Sequence, residues 1–125
     1  MNNNELRIGN YVTDSKTGKV VTVDGIQFTG RVVTHDESYD DWKRGIESVG
    51  IPLTPEILDK AGFDGSNRCF SFGAHDYLFR FEGERFYYGY WSEDGFVSES
   101  PEIKYVHQLQ NLIFALCGEE LEINL

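Results

Sequence analysis

Three histidines and two cysteines carry the most reactive side chains in this sequence: His35, His75 and His107, and Cys69 and Cys117. No two histidines stand at a metal-binding spacing, and neither HExxH nor HxH occurs. His75-Asp76 lies between two strand-like runs and reads as a turn. His107 lies near a helix start and reads as a cap or a surface residue. The cysteines are far apart, form no CxxC, and each has apolar neighbours. Both therefore read as buried free thiols acting as small hydrophobes. Nucleophilic catalysis needs a Ser or Cys beside a base with an orienting acid. There is no GxSxG elbow, and a thiol in an apolar strand such as that around Cys69 is held protonated and inert. Phosphate cradles of the GxxxxGKS/T or GxGxxG type are absent. Gly9, Gly18, Gly25, Gly30, Gly83 and Gly95 read as turn makers. The acidic run Asp36, Glu37, Asp40, Asp41 lacks the alternation, the central Gly and the terminal Glu of a calcium loop. It reads as a solvated loop. We expect no metal and no cofactor.

What remains is an aromatic and arginine-bearing sheet. Eleven of the 18 aromatic residues lie between Phe70 and Phe96. With Gly83-Glu84 as a two-residue turn, Phe81 faces Phe86, Phe79 faces Tyr88 and Tyr77 faces Tyr90. That gives a three-rung ladder on one face. The other face carries Glu82 opposite Arg85 and Arg80 opposite Tyr87. A one-residue slip would spoil both faces, so the register specifies itself. Tyr87 and Trp91 fall on the face opposite the ladder, near Arg80 and Arg85. Exposed Tyr, Trp and Arg form a binding composition. They can stack a planar group and meet an anion with guanidinium. Arg80, Arg85, Tyr87 and Trp91 are the candidate ligand-binding residues, and no catalytic residue is assigned. The competing reading makes the ladder plain core, covered by the C-terminal helix.

Other elements must position this sheet. Residues 5–26 read as a hairpin: a strand over Leu6 to Val12, a turn Asp14-Ser15-Lys16-Thr17-Gly18, and a second strand over Lys19 to Val23, rich in β-branched residues. Asp24-Gly25 marks a further turn. Phe28 to Thr34 reads as one more strand, 35–41 as a loop, and Trp42 to Val49 as a helical turn or an irregular connection. Residues 53–63 read as a short helix with Thr54 as N-cap, Pro55 at the first position, Leu53 and Leu58 as a staple, and Gly62 as the stop onto Phe63. The meander spans 68–100, with Asp94-Gly95 as its second hairpin signal. Ile103 to Tyr105 reads as a strand stub. The helix over 106–118 has Val106, Leu109, Leu112, Ile113 and Leu116 on its apolar side, and His107, Gln108, Gln110 and Asn111 on its polar side. Leu121 to Leu125 reads as an edge strand or a tail.

A chain of 125 residues suits one domain. Its 14.3 kDa scale to roughly two-thirds of the open chain's surface buried on folding, enough for a core without staples. The net charge is −10. That disfavours long nucleic acid and anionic membrane as partners. The charge is uneven: residues 1–34 hold three acids and four bases, and 35–125 hold eighteen and seven. A concentrated negative surface suits a basic protein partner. The first residues, Met1-Asn2-Asn3-Asn4-Glu5, lack the basic and apolar regions of a signal peptide. The longest apolar cluster, Leu112 to Cys117, is far short of a span. A cytoplasmic location is expected.

Two resemblances add to this. The first hairpin, with Gly-x-x-Val at Gly9 to Val12 and Gly18-Lys19-Val20-Val21, resembles that of SH3-like or KOW-type small barrels. The run from Ile103 to Leu121, IKYVHQLQNLIFALCGEEL, resembles the ending of a family of small bacterial and phage-encoded proteins of uncharacterised function. Leu6 to Val12 and Ile51-Pro52-Leu53-Thr54-Pro55-Glu56 resemble other parts of the same family. That similarity implies a bacterial or phage cytoplasm and a mobile-element origin, and transfers no activity and no site residues.

The expectation is therefore a single α+β domain. A curved antiparallel sheet or partial SH3-like barrel joins the hairpin to the meander. It is packed by the C-terminal helix and connected through one short helix. The expected function is non-enzymatic binding of a protein partner through the acidic surface, blocking a host component. The alternatives are a small anionic ligand, such as a nucleotide signal, held on the aromatic face, and an enzyme with a carboxylate site. A homo-oligomer is compatible with each.

Overall fold

The computed structural model describes residues 6–34, 45–66, 69–72, 77–82, 85–123 and 125, with only the backbone described over 64–66, 69–72, 77 and 82. The expected loop at 35–41, with His35 and the acidic run, lies outside the described residues, as do His75 and the turn residues Gly83 and Glu84. The fold is α+β with antiparallel sheets and no closed barrel among the described residues. The chain divides into two compact units.

The first unit comprises residues 1–52 and 105–121. Strands β1 (Tyr11–Asp14) and β2 (Val20–Thr22) form the expected hairpin, with Val12 opposite Val21. Gly18 takes the positive φ that its turn requires, +72°. The first strand begins at Tyr11, not at Leu6. Gly9 bends the chain at φ +98°, and the Arg7 N–H donates to Asn10 Oδ1 at 2.7 Å, so 7–10 forms a turn. Strands β3 (Gly25–Ile26) and β4 (Val32–Val33) make a second, smaller hairpin, so the expected strand over 28–34 shrinks to two residues. The stretch expected to be helical or irregular ends in strand β5 (Ser48–Val49), paired with β1. Leu6, Val12, Val21, Val23, Val32 and Ile46 form this unit's apolar cluster.

Helix α2 (Val106–Cys117) belongs to this first unit and ends on Gly118 at φ +73°. Its apolar stripe is buried as expected at Val106, Leu109 and Ile113. Its polar side is not solvated as expected. His107 is 0% and Gln110 1% exposed. The reason is a polar clamp on the N-terminal turn. Gln110 Oε1 accepts from the Tyr11 N–H at 2.8 Å, and its Nε2 donates to the carbonyls of Gly9 (3.2 Å) and Leu121 (3.3 Å). Asn111 Oδ1 accepts from Asn10 Nδ2 at 2.9 Å and from Arg7 Nε at 3.2 Å. Backbone groups that no strand satisfies thus find partners on the helix. No strand forms at Ile103–Tyr105, where Tyr105 makes only an isolated bridge to Pro52. Among the described residues, the tail from Leu121 contains no strand.

The second unit comprises residues 53–104 and 122–125. Helix α1 (Pro55–Lys60) is built as its punctuation predicts. Thr54 Oγ1 accepts from the Ile57 N–H at 3.3 Å. Gly62 (φ +88°) and Phe63 return N–H groups to the carbonyls of Asp59 and Leu58, a Schellman stop. Strands β6 (Asp64–Ser66), β7 (Cys69–Phe72), β8 (Tyr77–Glu82), β9 (Arg85–Ser92) and β10 (Gly95–Ser98) form one antiparallel sheet in the order β10-β9-β8-β7-β6. The hairpin strands β1 and β2 lie in a different sheet, which corrects the expectation of one sheet joining hairpin and meander. Among the described residues the strand pairs needed for that continuity are not made: β1 spends its two edges on β2 and β5.

The β8–β9 register is the expected one, running from Glu82↔Arg85 through Phe81↔Phe86, Phe79↔Tyr88 and Leu78↔Gly89. Phe79 stands at the centre of the ladder. Its ring meets Phe63 edge-on at 5.2 Å, Phe86 in parallel at 5.7 Å and Tyr88 at 5.3 Å. Tyr90, expected as part of a third rung, is 48% exposed.

Candidate functional site

The face opposite the ladder is set by the same register. Arg80 on β8 lies opposite Tyr87 on β9, and Trp91 on β9 lies opposite Phe96 on β10. Side chains at 85, 87, 89 and 91 share a face because a strand repeats every two residues. Arg80, Arg85, Tyr87 and Trp91 therefore share one side of the sheet.

They are not one cluster. The Arg80 guanidinium carbon lies 4.5 Å from the centroid of the Trp91 ring, a cation–π stack. Phe96 meets the same indole edge-on at 5.8 Å and 73°. Trp91 is thus clamped on a face and on an edge, yet 52% of it stays exposed. Tyr87 is half-buried beside Arg80. Arg85 is exposed at the other end of β9, six residues from Trp91, or about 20 Å along the strand. The site is therefore Arg80, Trp91, Phe96 and Tyr87, with Arg85 apart.

Two of its determinants escape a reading by residue type. Phe96 completes the clamp. Gly89 makes room for it: a Cβ there would overlap the Val97 carbonyl and lie 2.9 Å from a ring carbon of Phe96. The glycine lets β10 approach closely while the neighbouring aromatic covers its bare backbone. The available signal was a lone Gly inside the aromatic run Phe86-Tyr87-Tyr88-Gly89-Tyr90-Trp91.

Around the clamp the charge is acidic. Glu93 and Asp94, in the β9–β10 turn, and Glu99, just past β10, are exposed. The turn is fixed by Ser92 Oγ, which donates to the Gly95 carbonyl at 2.9 Å and accepts from the Asp94 N–H at 3.2 Å.

The other reactive residues are engaged in structure. His107 is fully buried, its ring stacked on Tyr105 at 5.6 Å and 8°, which corrects its reading as a cap or surface residue. The close packing needs Gly50, where a Cβ would lie 2.7 Å from the Tyr105 ring and 3.2 Å from His107. Cys117 is a free, half-buried thiol whose Sγ donates to the Ile113 carbonyl at 3.1 Å. Arg7 pairs with Glu120 through both terminal guanidinium nitrogens, stacks at 4.3 Å over the Phe114 ring, and holds the Glu120 carboxyl below its ordinary value by hydrogen bonding. Among the described residues no group of three His, Cys, Asp or Glu is placed to hold a metal ion. No helix is long and apolar enough to cross a membrane, again among the described residues.

Comparison with family models, with curated proteins and with solved structures finds no match. Function is therefore read from the chain's own residues.

Proposed function

We propose that this is a non-enzymatic binding protein that recognises a protein partner through the Trp91 end of the meander. One observation carries the reading: an indole held by Arg80 and Phe96 is still 52% exposed. Trp, Tyr and Arg dominate interface hot spots, and a side chain fixed before binding loses little entropy on binding. The exposed acids Glu93, Asp94 and Glu99 favour a basic partner. The reading takes the protein to act in a bacterial or phage-infected cytoplasm. That rests on the resemblance of its C-terminal run and on the free thiol of Cys117. Blocking a host component is the role such a partner surface would serve.

The test is capture from bacterial lysate by immobilised protein, compared with a Tyr87→Ala, Trp91→Ala variant. A partner held by the parent, lost with the variant and released by salt supports the reading. Equal capture by both refutes it.

A second reading is favoured by the Arg80–Trp91 stack itself, which offers a cation beside an aromatic plane. A small nucleotide-type anion would use both. Trp42→Phe leaves Trp91 as the sole tryptophan, and its emission reports binding directly. A nucleotide at 100 times its dissociation constant also raises stability by about 2.7 kcal/mol. An unchanged emission and midpoint across a nucleotide panel remove this reading.

A further inference from the structure

The five-stranded sheet ends in β6 on one side and β10 on the other, and the backbone pattern of the β10 edge follows from its register. The Glu99 N–H donates to the Tyr88 carbonyl at 2.8 Å. In an antiparallel ladder, groups point inward and outward at alternate residues. Counting back from Glu99, Val97 and Gly95 turn their groups toward β9, while Phe96 and Ser98 turn an N–H and a C=O each away from it. Apolar side chains flank this edge on both faces. Val97 and Tyr90 lie opposite each other, 37% and 48% exposed, and Phe96 and Trp91 form the other pair. Exposed carboxylates mark the ends, Glu93 and Asp94 at one and Glu99 at the other.

We infer that the β10 edge accepts an extended basic peptide as a sixth strand, with Lys or Arg alternating with apolar residues. This rests on the protein-binding reading above and names the segment of the partner that binds. Strand addition draws affinity from main-chain bonds and specificity from alternate side chains. Here the bonds would go to Phe96 and Ser98. The peptide's apolar residues would cover the Phe96–Trp91 pair, and its cations, on the face of Val97, would meet Glu99 and the turn acids Glu93 and Asp94. A second copy is a poorer occupant. Its own β10 would bring the same three acids against these, and like charges across a strand pair repel.

The probe is a blocked ten-residue peptide alternating valine and lysine. Its controls are the same peptide with glutamate for lysine, and one N-methylated on alternate residues. The protein is the full chain, with Trp42→Phe so that Trp91 reports. The expected result is saturable binding of the lysine peptide, weakened at least tenfold by glutamate, by N-methylation and by Ser98→Pro, which removes an outward N–H. Amide exchange at Phe96 and Ser98 should slow at least tenfold when the peptide is bound. The N-methylated control needs no protein variant, so a misfolded Ser98→Pro chain cannot decide the matter. Binding of the N-methylated or glutamate peptide within twofold of the parent overturns the inference. So does an absence of binding, unchanged exchange at the two amides, or dimerisation of the protein through this edge. If the peptide fails while Tyr87→Ala, Trp91→Ala still abolishes lysate capture, the edge is wrong and the face stands. If that variant captures as the parent does, the face reading falls whatever the peptide does.

Discussion

Replacing Gln110 with alanine tests the clamp between helix α2 and the N-terminal turn. Gln110 is 1% exposed and makes three hydrogen bonds to main chain: from Tyr11 N–H, and to the Gly9 and Leu121 carbonyls. Truncation strands the Tyr11 donor, which costs about 1–3 kcal/mol. It also opens a void of about 60 Å³, worth roughly 1.5 kcal/mol if the site does not collapse. Together these give an expected loss of about 3 kcal/mol, a large share of a small domain's stability. Urea unfolding measures the loss, and amide exchange at Tyr11 localises it. Gln110→Met separates the terms: it refills the void but restores no polar partner, so it should recover about half. Gln110→Glu keeps an acceptor for Tyr11 but sets a carboxylate against two carbonyls. It should be the worst of the three at neutral pH and improve in acid, where a protonated carboxyl donates again. A loss under about 0.5 kcal/mol for Gln110→Ala, with Tyr11 exchange unchanged, would refute the claim that this side chain holds the turn.

Gly89→Ala should detach β10, because the added methyl overlaps the Val97 carbonyl; faster amide exchange at Val97 and Glu99 is the readout. Thr54→Ala removes the acceptor at the start of α1 and should cost about 1 kcal/mol in chemical denaturation. Arg80→Ala, in the Trp42→Phe background, should shift and broaden Trp91 emission by freeing the ring, with little change in stability. The Arg7–Glu120 pair lowers the Glu120 carboxyl below its unfolded value, so its stabilisation is full above the ordinary glutamate range. It is lost as the pH falls through the lowered value. The pair is surface-exposed, so Glu120→Gln should cost no more than about 1 kcal/mol at neutral pH and remove that part of the acid dependence.

The parts legible in the sequence are those fixed by short-range chemistry. Gly83-Glu84 between two alternating aromatic runs admits one register, and β8 and β9 adopt it. Thr54, Pro55, Gly62 and Phe63 punctuate α1 within ten residues, and each device forms. What failed was decided by distant partners. Leu6 to Asn10 has a strand's apolar pattern, but Asn10 bonds Asn111 and Gly9 bonds Gln110, a hundred positions along. The same bonds invert α2, whose Gln110 reads as solvated by type and is buried by use. The candidate face was legible in composition but not in detail. Arg80 and Trp91 come together, Arg85 does not, and the Phe96 contact depends on the missing side chain of Gly89.

This division bears on where recognition can occur. Several side chains of the first unit that by type could serve a ligand are engaged within that unit. His107 is stacked inside it, Cys117 bonds its own helix, and Arg7 is committed to Glu120 and Phe114. In the second unit the balance is reversed. The ladder of Phe79, Phe81 and Phe86 lies in the core and Trp91 outside it: Phe96 and Arg80 support the indole without covering it. Leaving half an indole in water forgoes about 1–2 kcal/mol of burial that a neighbouring side chain would recover. A fixed aromatic left exposed beside a strand edge and three carboxylates is the arrangement on which the proposed recognition rests. Trp91→Ser decides the point. If it leaves stability and every binding readout above unchanged, the exposed indole does nothing that a small polar side chain does not, and its role in recognition is refuted.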